Sequence, residues 1–364
     1  MTTIKINTNN TCAIENENDV AFLWALDKEL SFAVQGAEHT RAYKGYFDRE
    51  GNHHQWDGIH RLLSEDLIFP IGLLKRVEGF YHDKGKQANI LDTRPTKSPN
   101  ASIDILPTLT SMGKSPYPYQ LEAASVVKDQ DHGIIRLATG GGKTIVAALM
   151  TAHLGKKTLL YVIGKDLLYQ THKFFSSVFN HRIGIIGDGN CDIQDINIVS
   201  VWTVGQALGL KTTEILTESE DEGSVDPKKY KEIRQMLLSS KVHIFDECHL
   251  AACNTIQEIA KNINPEHIYG MSASPWRDDN ADLLIECVLG KNIVDISATY
   301  LIENGYLVKP IIKFLKVPPP AEKLKKAYQT IYKNYITDNP VRNGLVVLGA
   351  EKLVEQGLKD FDLF

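Results

Sequence analysis

Apolar positions between residues 117 and 316 fall into short runs. They are GIIRLAT (133–139), TLLYVIG (158–164), RIGIIG (182–187), INIVSV (196–201), VHIFDE (242–247) and IYGMSAS (268–274). Four of the six end at glycine, serine or threonine, VHIFDE ends in two acids, and segments of helical spacing separate them. Short, almost wholly apolar runs suit strands covered on both faces. Strands alternating with helices predict an α/β fold with a parallel sheet and crossover connections. PKKYKEIRQMLLSS (227–240) reads as one such helix, with Asp226 as N-cap and Pro227 in its first turn.

The pattern changes ahead of this block. FPIGLLKRVEGFYHDKG (69–85) places Leu73, Leu74, Val77, Phe80 and Tyr81 at helix-like intervals, and VAFLWALDKELSF (20–32) is a mixed apolar stretch. Residues 1–95 therefore predict a small α+β domain. A linker follows at 96–116, inside a stretch rich in Pro, Ser and Thr. The α/β block takes 117–316, and 317–364 reads as a second linker followed by the start of another lobe, with a helix over 340–356 ending at Gly357.

Composition narrows the class. The 364 residues are 43% hydrophobic and 23% charged, which is ordinary globular usage. Forty basic residues against 45 acidic ones give a net charge of −5, so any nucleic-acid contact must come from a local patch rather than from global charge. Five scattered cysteines argue against a disulfide scaffold and for a reducing compartment, the cytoplasm. LTESEDEGSVDP (216–227) reads as a solvated acidic loop.

Two stretches carry chemistry. In IIRLATGGGKTIVAALM (134–150) a strand-like run gives way to Thr139, Gly140, Gly141 and Gly142, then Lys143, Thr144 and a helical pattern. Glycines let backbone N–H groups turn toward phosphate oxygens, and the helix N-terminus favours negative charge. Lys143 can reach terminal phosphates, and the Thr144 hydroxyl can hold Mg²⁺. The usual phosphate-loop pattern opens with glycine, and Leu137 stands at that place. The second stretch, VHIFDECHLAAC (242–253), admits two readings: a zinc cluster, or the acidic end of a strand serving Mg-ATP. Cys248 and Cys253 are five apart with no second pair at zinc spacing, which favours the latter. Asp246 then binds Mg²⁺, and Glu247 activates the water that attacks the γ-phosphate. The glycine turn and the acid pair are expected to converge from adjacent strands.

DECH at 246–249 resembles the second motif of superfamily 2 helicases, and other stretches follow in the same order. YPYQLEAA (117–124) is similar to the adenine-reading motif, with Tyr117 and Gln120. GKDLLYQTHKFF (164–175) resembles motif Ia and SVWTVGQAL (200–208) motif Ib. SASPWRDD (272–279) is similar to motif III and its flank. WDGIHRLLSEDLIFPIGLLKRVEGF and ATYLIENGYLVKPII narrow the likeness to phage UvsW-type recombination helicases.

The resemblance implies a RecA-like ATPase lobe using ATP and Mg²⁺. It implies a motor on branched DNA, active in branch migration, fork regression or unwinding, hence in recombination, repair and replication. It places Ser272, Ser274 and His249 in coupling hydrolysis to the nucleic-acid side. It makes Lys165, Thr203 and Arg277 DNA contacts, beside Arg41 and Lys44 from the basic, aromatic run at 39–61. It also implies an arginine finger from a second lobe, of which 317–364 holds only the beginning, so weak turnover by this chain alone is expected. The alternative is a nucleotide-dependent DNA-binding module that does not unwind.

Overall fold

The computed structural model describes residues 2–8, 10–48, 50–210, 223–275, 282–310, 314, 316–317 and 328–355. Two compact units divide the chain, residues 1–307 and 308–364.

The first unit opens with a four-stranded sheet of β1 (Thr2–Ile6), β2 (Thr11–Glu15), β3 (Ile68–Pro70) and β4 (Ala88–Asp92), in the order β3-β2-β1-β4. Two helices accompany it, α1 (Val20–Glu29) and α2 (Leu74–Asp83). Val77 and Tyr81 of α2 are buried, as their spacing predicts. The run 39–61 forms a short helix (Arg41–Lys44) and a ribbon pairing Tyr46–Phe47 with His53–His54. Phe47 is 67% exposed there, so this ribbon does not turn its aromatics into a core of its own.

The large sheet contains β5 (His132–Leu137), β6 (Thr158–Val162), β7 (Gly184–Gly187), β8 (Asn190–Asp192), β9 (Ile196–Ser200), β10 (Val242–Asp246), β11 (His267–Ser272) and β12 (Asn292–Ile296). Their order is β8-β7-β9-β6-β10-β11-β5-β12. All pairings are parallel except that of β7 with β8. This is the predicted α/β, RecA-like sheet. Two strands escaped the apolar pattern. β8 (Asn-Cys-Asp) is a polar edge strand, and half-buried β12 pairs on one side only.

Alternation along the strands fills a core on each face. Leu159, Tyr161 and Phe245 point to one side, and Leu160, Val162, Val242 and Ile244 to the other. The second face is covered by helices that include α3 (Pro118–Ser125), α4 (Lys143–Leu154) and α5 (Lys165–Val178). The first is covered by α6 (Val201–Ala207), α7 (Tyr230–Ser239), α8 (Asn254–Lys261) and α9 (Asp282–Leu289). Asp226 accepts a hydrogen bond from Lys228 N and starts a 3-10 turn, Pro227–Lys229, that leads into α7.

The core on the first face is continuous with that of the N-terminal region. Ile4, Cys12, Leu73 and Val77 belong to the same buried cluster as Ile285 and Cys287. Gly72 makes the close approach possible: a Cβ there would collide with the Glu286 carbonyl and lie 2.5 Å from that of Cys287. Beside it Arg76 bridges Glu286 at 2.5 Å and Glu29 at 2.8 Å. Residues 1–95 and the large sheet thus share one hydrophobic core.

The second unit holds a helix over Pro340–Glu355, close to its expected span. Gly357, residues 216–222 of the acidic loop and Arg277 lie outside the described residues. Among the described residues no helix is long and apolar enough to cross a membrane.

Candidate functional site

The chemistry collects at the C-terminal ends of the central strands, where open α/β sheets place their sites. After Leu137 the chain turns through Ala138–Gly142. Gly140 (φ 80°) and Gly142 (φ 83°) are left-handed, and Gly142 caps α4. A Cβ on Gly142 would run into Gln120 Nε2, and one on Gly141 would lie 2.7 Å from Leu137 Cδ1. The positive φ at Gly142, and the Ala138 carbonyl 2.9 Å from a Cβ on Gly141, disfavour a side chain at either place. The first turn of α4, starting at Lys143 and Thr144, leaves N–H groups without intrahelical partners. Thr139 and Gly140 are exposed, and Lys143 and Thr144 half-buried.

Asp246 ends β10 and Glu247 follows it in a left-handed conformation, φ 49° and ψ 52°. A non-glycine residue held there stores strain, a feature that clusters at functional sites. Lys143 Nζ forms an ion pair with Glu247 Oε1. Burial raises the Asp246 carboxyl above the usual range, Lys143 pulls it down, and Glu247 pushes it up again.

The two loops do not come from neighbouring strands, as the sequence suggested. β11 lies between β5 and β10. Its last residue, Ser272, sits between the halves of the site. Ser272 Oγ is 3.4 Å from Glu247 Oε2 and 3.4 Å from His249 Nδ1, and it accepts a hydrogen bond from Ser274 N at 3.2 Å. His249 Nδ1 also lies 3.4 Å from Glu247 Oε2. The four residues Glu247, His249, Ser272 and Ser274 thus share one polar network.

Gln120 is buried behind the glycine turn. Its Oε1 accepts from Tyr117 N at 2.9 Å, and its Nε2 donates to Gly141 O at 2.9 Å. Tyr119 Oη donates to the same carbonyl at 2.9 Å. Tyr117, 48% exposed, lies against Tyr119 and Tyr306. Sequence reading missed Tyr119, Tyr306 and Leu307 because a tyrosine pattern without a fold reads as core.

Neighbouring residues open to the zinc reading serve packing. His243 is fully buried, bonds Tyr161 Oη through Nδ1 at 2.9 Å, and is pushed down to about 3 by burial. Cys248 is also fully buried, with its thiol held well above its ordinary value, and packs 2.6 Å from where a Cβ on Gly270 would stand.

The expected nucleic-acid residues divide. Arg41 and Lys44 are exposed, and Arg41 lies 5.0 Å from the Tyr46 ring. Lys165 is half exposed and pairs with Asp188 at 3.0 Å. Thr203 departs from expectation: it is fully buried in the first turn of α6, which Ser200 caps, so its side chain is not offered to an outside phosphate.

Residues 113–277 match the sequence model of a family described as "Type III restriction enzyme, res subunit". Over 339 residues, 87% of the chain, the protein is 26% identical to the ATP-dependent DNA helicase uvsW of Enterobacteria phage T4, covering 62% of that protein. It is 27% identical over 215 residues to the DNA 3'-5' translocase XPB2 of Sulfurisphaera tokodaii, which covers 59% of this chain and 43% of that one. The crystal structure of the UvsW helicase from Bacteriophage T4 aligns with a TM-score of 0.57 at 19% identity, over 80% of this chain and 99% of that one. The chain spans between 36% and 62% of the lengths of the curated relatives it matches.

Proposed function

We propose that this chain, which belongs to the superfamily 2 helicases and is similar to phage UvsW, uses Mg-ATP to drive movement on branched DNA. One observation carries the reading. The glycine turn with Lys143 and the acid pair Asp246–Glu247 meet at one end of the sheet, joined by the Lys143–Glu247 ion pair and by Ser272 between them.

The residues present fit a magnesium-bound triphosphate. The glycine turn is a cradle that a Cβ would fill, and Asp246 is a half-buried carboxylate beside Glu247, an acid pair whose charge favours a cation. Thr144 and Asp246 would hold Mg²⁺, which when bound neutralises charge on the phosphate oxygens. Lys143 exchanges its partner on binding: phosphate replaces Glu247, and Glu247 is released to orient water for attack. Tyr117 faces the base, and Gln120, buried with its amide bonded to Tyr117 N and Gly141 O, braces the turn beneath it rather than reading the base directly. His249, Ser272 and Ser274 carry the loss of the γ-phosphate away from Glu247 through hydrogen bonds. Residues 1–95, with Arg41 and Lys44, and Lys165 and Arg277 contact the DNA. UvsW and XPB2, by name a DNA helicase and a DNA translocase, support DNA as the track.

Mg-ATP titration tests the site. Lys143→Ala is expected to weaken binding on the order of 100-fold, through loss of a charge-assisted contact in a half-buried cradle. Glu247→Gln is expected to bind at least as tightly as wild type, because it removes the carboxylate that competes for Lys143. Unchanged affinity in Lys143→Ala refutes the site. Equal affinity for forked and linear duplexes, measured by anisotropy, refutes the preference for branched DNA.

A further inference from the structure

Tyr306 stands about 160 residues after the phosphate cradle yet packs against it. Its ring centroid is 4.8 Å from those of both Tyr117 and Tyr119, tilted by 55° and 60°. Tyr117 and Tyr119 are near-parallel, 15° apart in plane and 5.8 Å between centroids. Next in sequence, Leu307 closes on the cradle: a Cβ on Gly140 would be 3.0 Å from Leu307 Cδ2.

The placement is rigid. The helix Ala298–Glu303 ends with Asn304 as C-cap and Gly305 in the left-handed region at φ 73°. Tyr306 N donates to Leu301 O at 2.8 Å and Gly305 N to Ile302 O at 3.1 Å, which is a Schellman termination. Leu301 is fully buried, so the turn presenting Tyr306 is anchored in the core.

The three tyrosines differ in exposure. Tyr119 is 4% exposed and its hydroxyl is bonded to Gly141, so it supports the loop. Tyr117 is 48% exposed and Tyr306 half-buried. Here aromatic surface stays open beside the cradle and beside Gln120, where a flat heteroaromatic ring can stack.

We propose that Tyr306, with Tyr117, forms the wall against which the base of a bound nucleoside triphosphate rests, making Tyr306 a specificity residue. The proposal rests on the nucleotide reading of the cradle. The test measures affinities for Mg-ATP and for Mg-tripolyphosphate, which lacks base and sugar, in wild type, Tyr306→Ala, Tyr306→Phe and Lys143→Ala. Tyr306→Ala is expected to weaken ATP about tenfold, the size of one base–aromatic stack, while leaving tripolyphosphate within about twofold, the level of an untouched site. Tyr306→Phe should resemble wild type with both. Equal weakening of both ligands makes Tyr306 a mere prop for the loop and overturns the proposal, as does no weakening of either. Loss of both ligands in Lys143→Ala supports the cradle, and full retention there refutes the cradle itself rather than Tyr306. Should Tyr306→Ala fail to fold, photolabelling of wild type with 8-azido-ATP decides: label within 298–310 supports the wall, and label confined to other peptides overturns it.

Discussion

Glu247 and Asp246 are neighbours with opposite situations. Glu247 is about one-third exposed, paired with Lys143 and held at φ 49°. Asp246 is raised by burial, so its ionised form is disfavoured in the folded chain. The sign of the pH effect follows. A carboxyl whose folded value lies above its unfolded value costs stability once pH exceeds the unfolded value, and the cost is complete above the folded one. Asp246→Asn is therefore expected to raise the melting temperature at pH 7.5 in chelator, by about 2–4 °C for each 1 kcal/mol recovered. The gain should fade as pH falls through the folded value and vanish below the ordinary aspartate value, where both states carry the proton. Thermal melts across that range check it, and a variant less stable than wild type at pH 7.5 contradicts it. These two residues were legible from the sequence, since an apolar run ending in two acids is a local pattern. Their partners were not. Ser272 reaches Glu247 only because β11 is inserted between the two loops, which no local pattern encodes.

At the level of elements, the helices that follow the site strands tie the N-terminal region to it. α8 and α9 come after β10 and β11, and Gln257 of α8 donates to Ala251 O at 2.6 Å and Leu284 O at 3.0 Å. The far face of α9 meets Gly72 and Arg76. Asn10, in the β1–β2 turn, donates to Ala260 O at 3.3 Å at the end of α8. Gly72→Ala should force α9 away from the N-terminal region. A collision with backbone carbonyls cannot be relieved by a rotamer change, and overpacking of this kind costs roughly 1–3 kcal/mol. Cys287 reports the opening, because it is buried and its thiol is pushed up to about 12. Its labelling by a thiol reagent should accelerate in the variant. Unaltered stability together with unaltered labelling would show that the seam is loose already. The helical spacing of α2 predicted Val77 and Tyr81 as buried, but spacing does not say against what.

For the whole molecule, a net charge of −5 means that DNA affinity must rest on few cations. Arg41 and Lys44 are exposed on the N-terminal region. Replacing both with Ala should reduce the slope of log K against log salt on duplex DNA by about 1.8, some 0.9 for each phosphate that is no longer neutralised. Thr203→Val should leave the slope untouched, because that side chain is buried. Titrations at several salt concentrations separate these outcomes, and an unaltered slope in the double variant removes the basic run from the interface. The sequence by itself determined the strand–helix alternation, the glycine turn and the acid pair, because periodicity and turn chemistry act over a few residues. Only the tertiary structure decided the strand order that brings Ser272 between the loops, the shared core joining residues 1–95 to the large sheet, the burial of Thr203 and the return of Tyr306 to the cradle. Those depend on contacts between residues far apart in the chain, whose partners are selected by packing rather than by any local pattern.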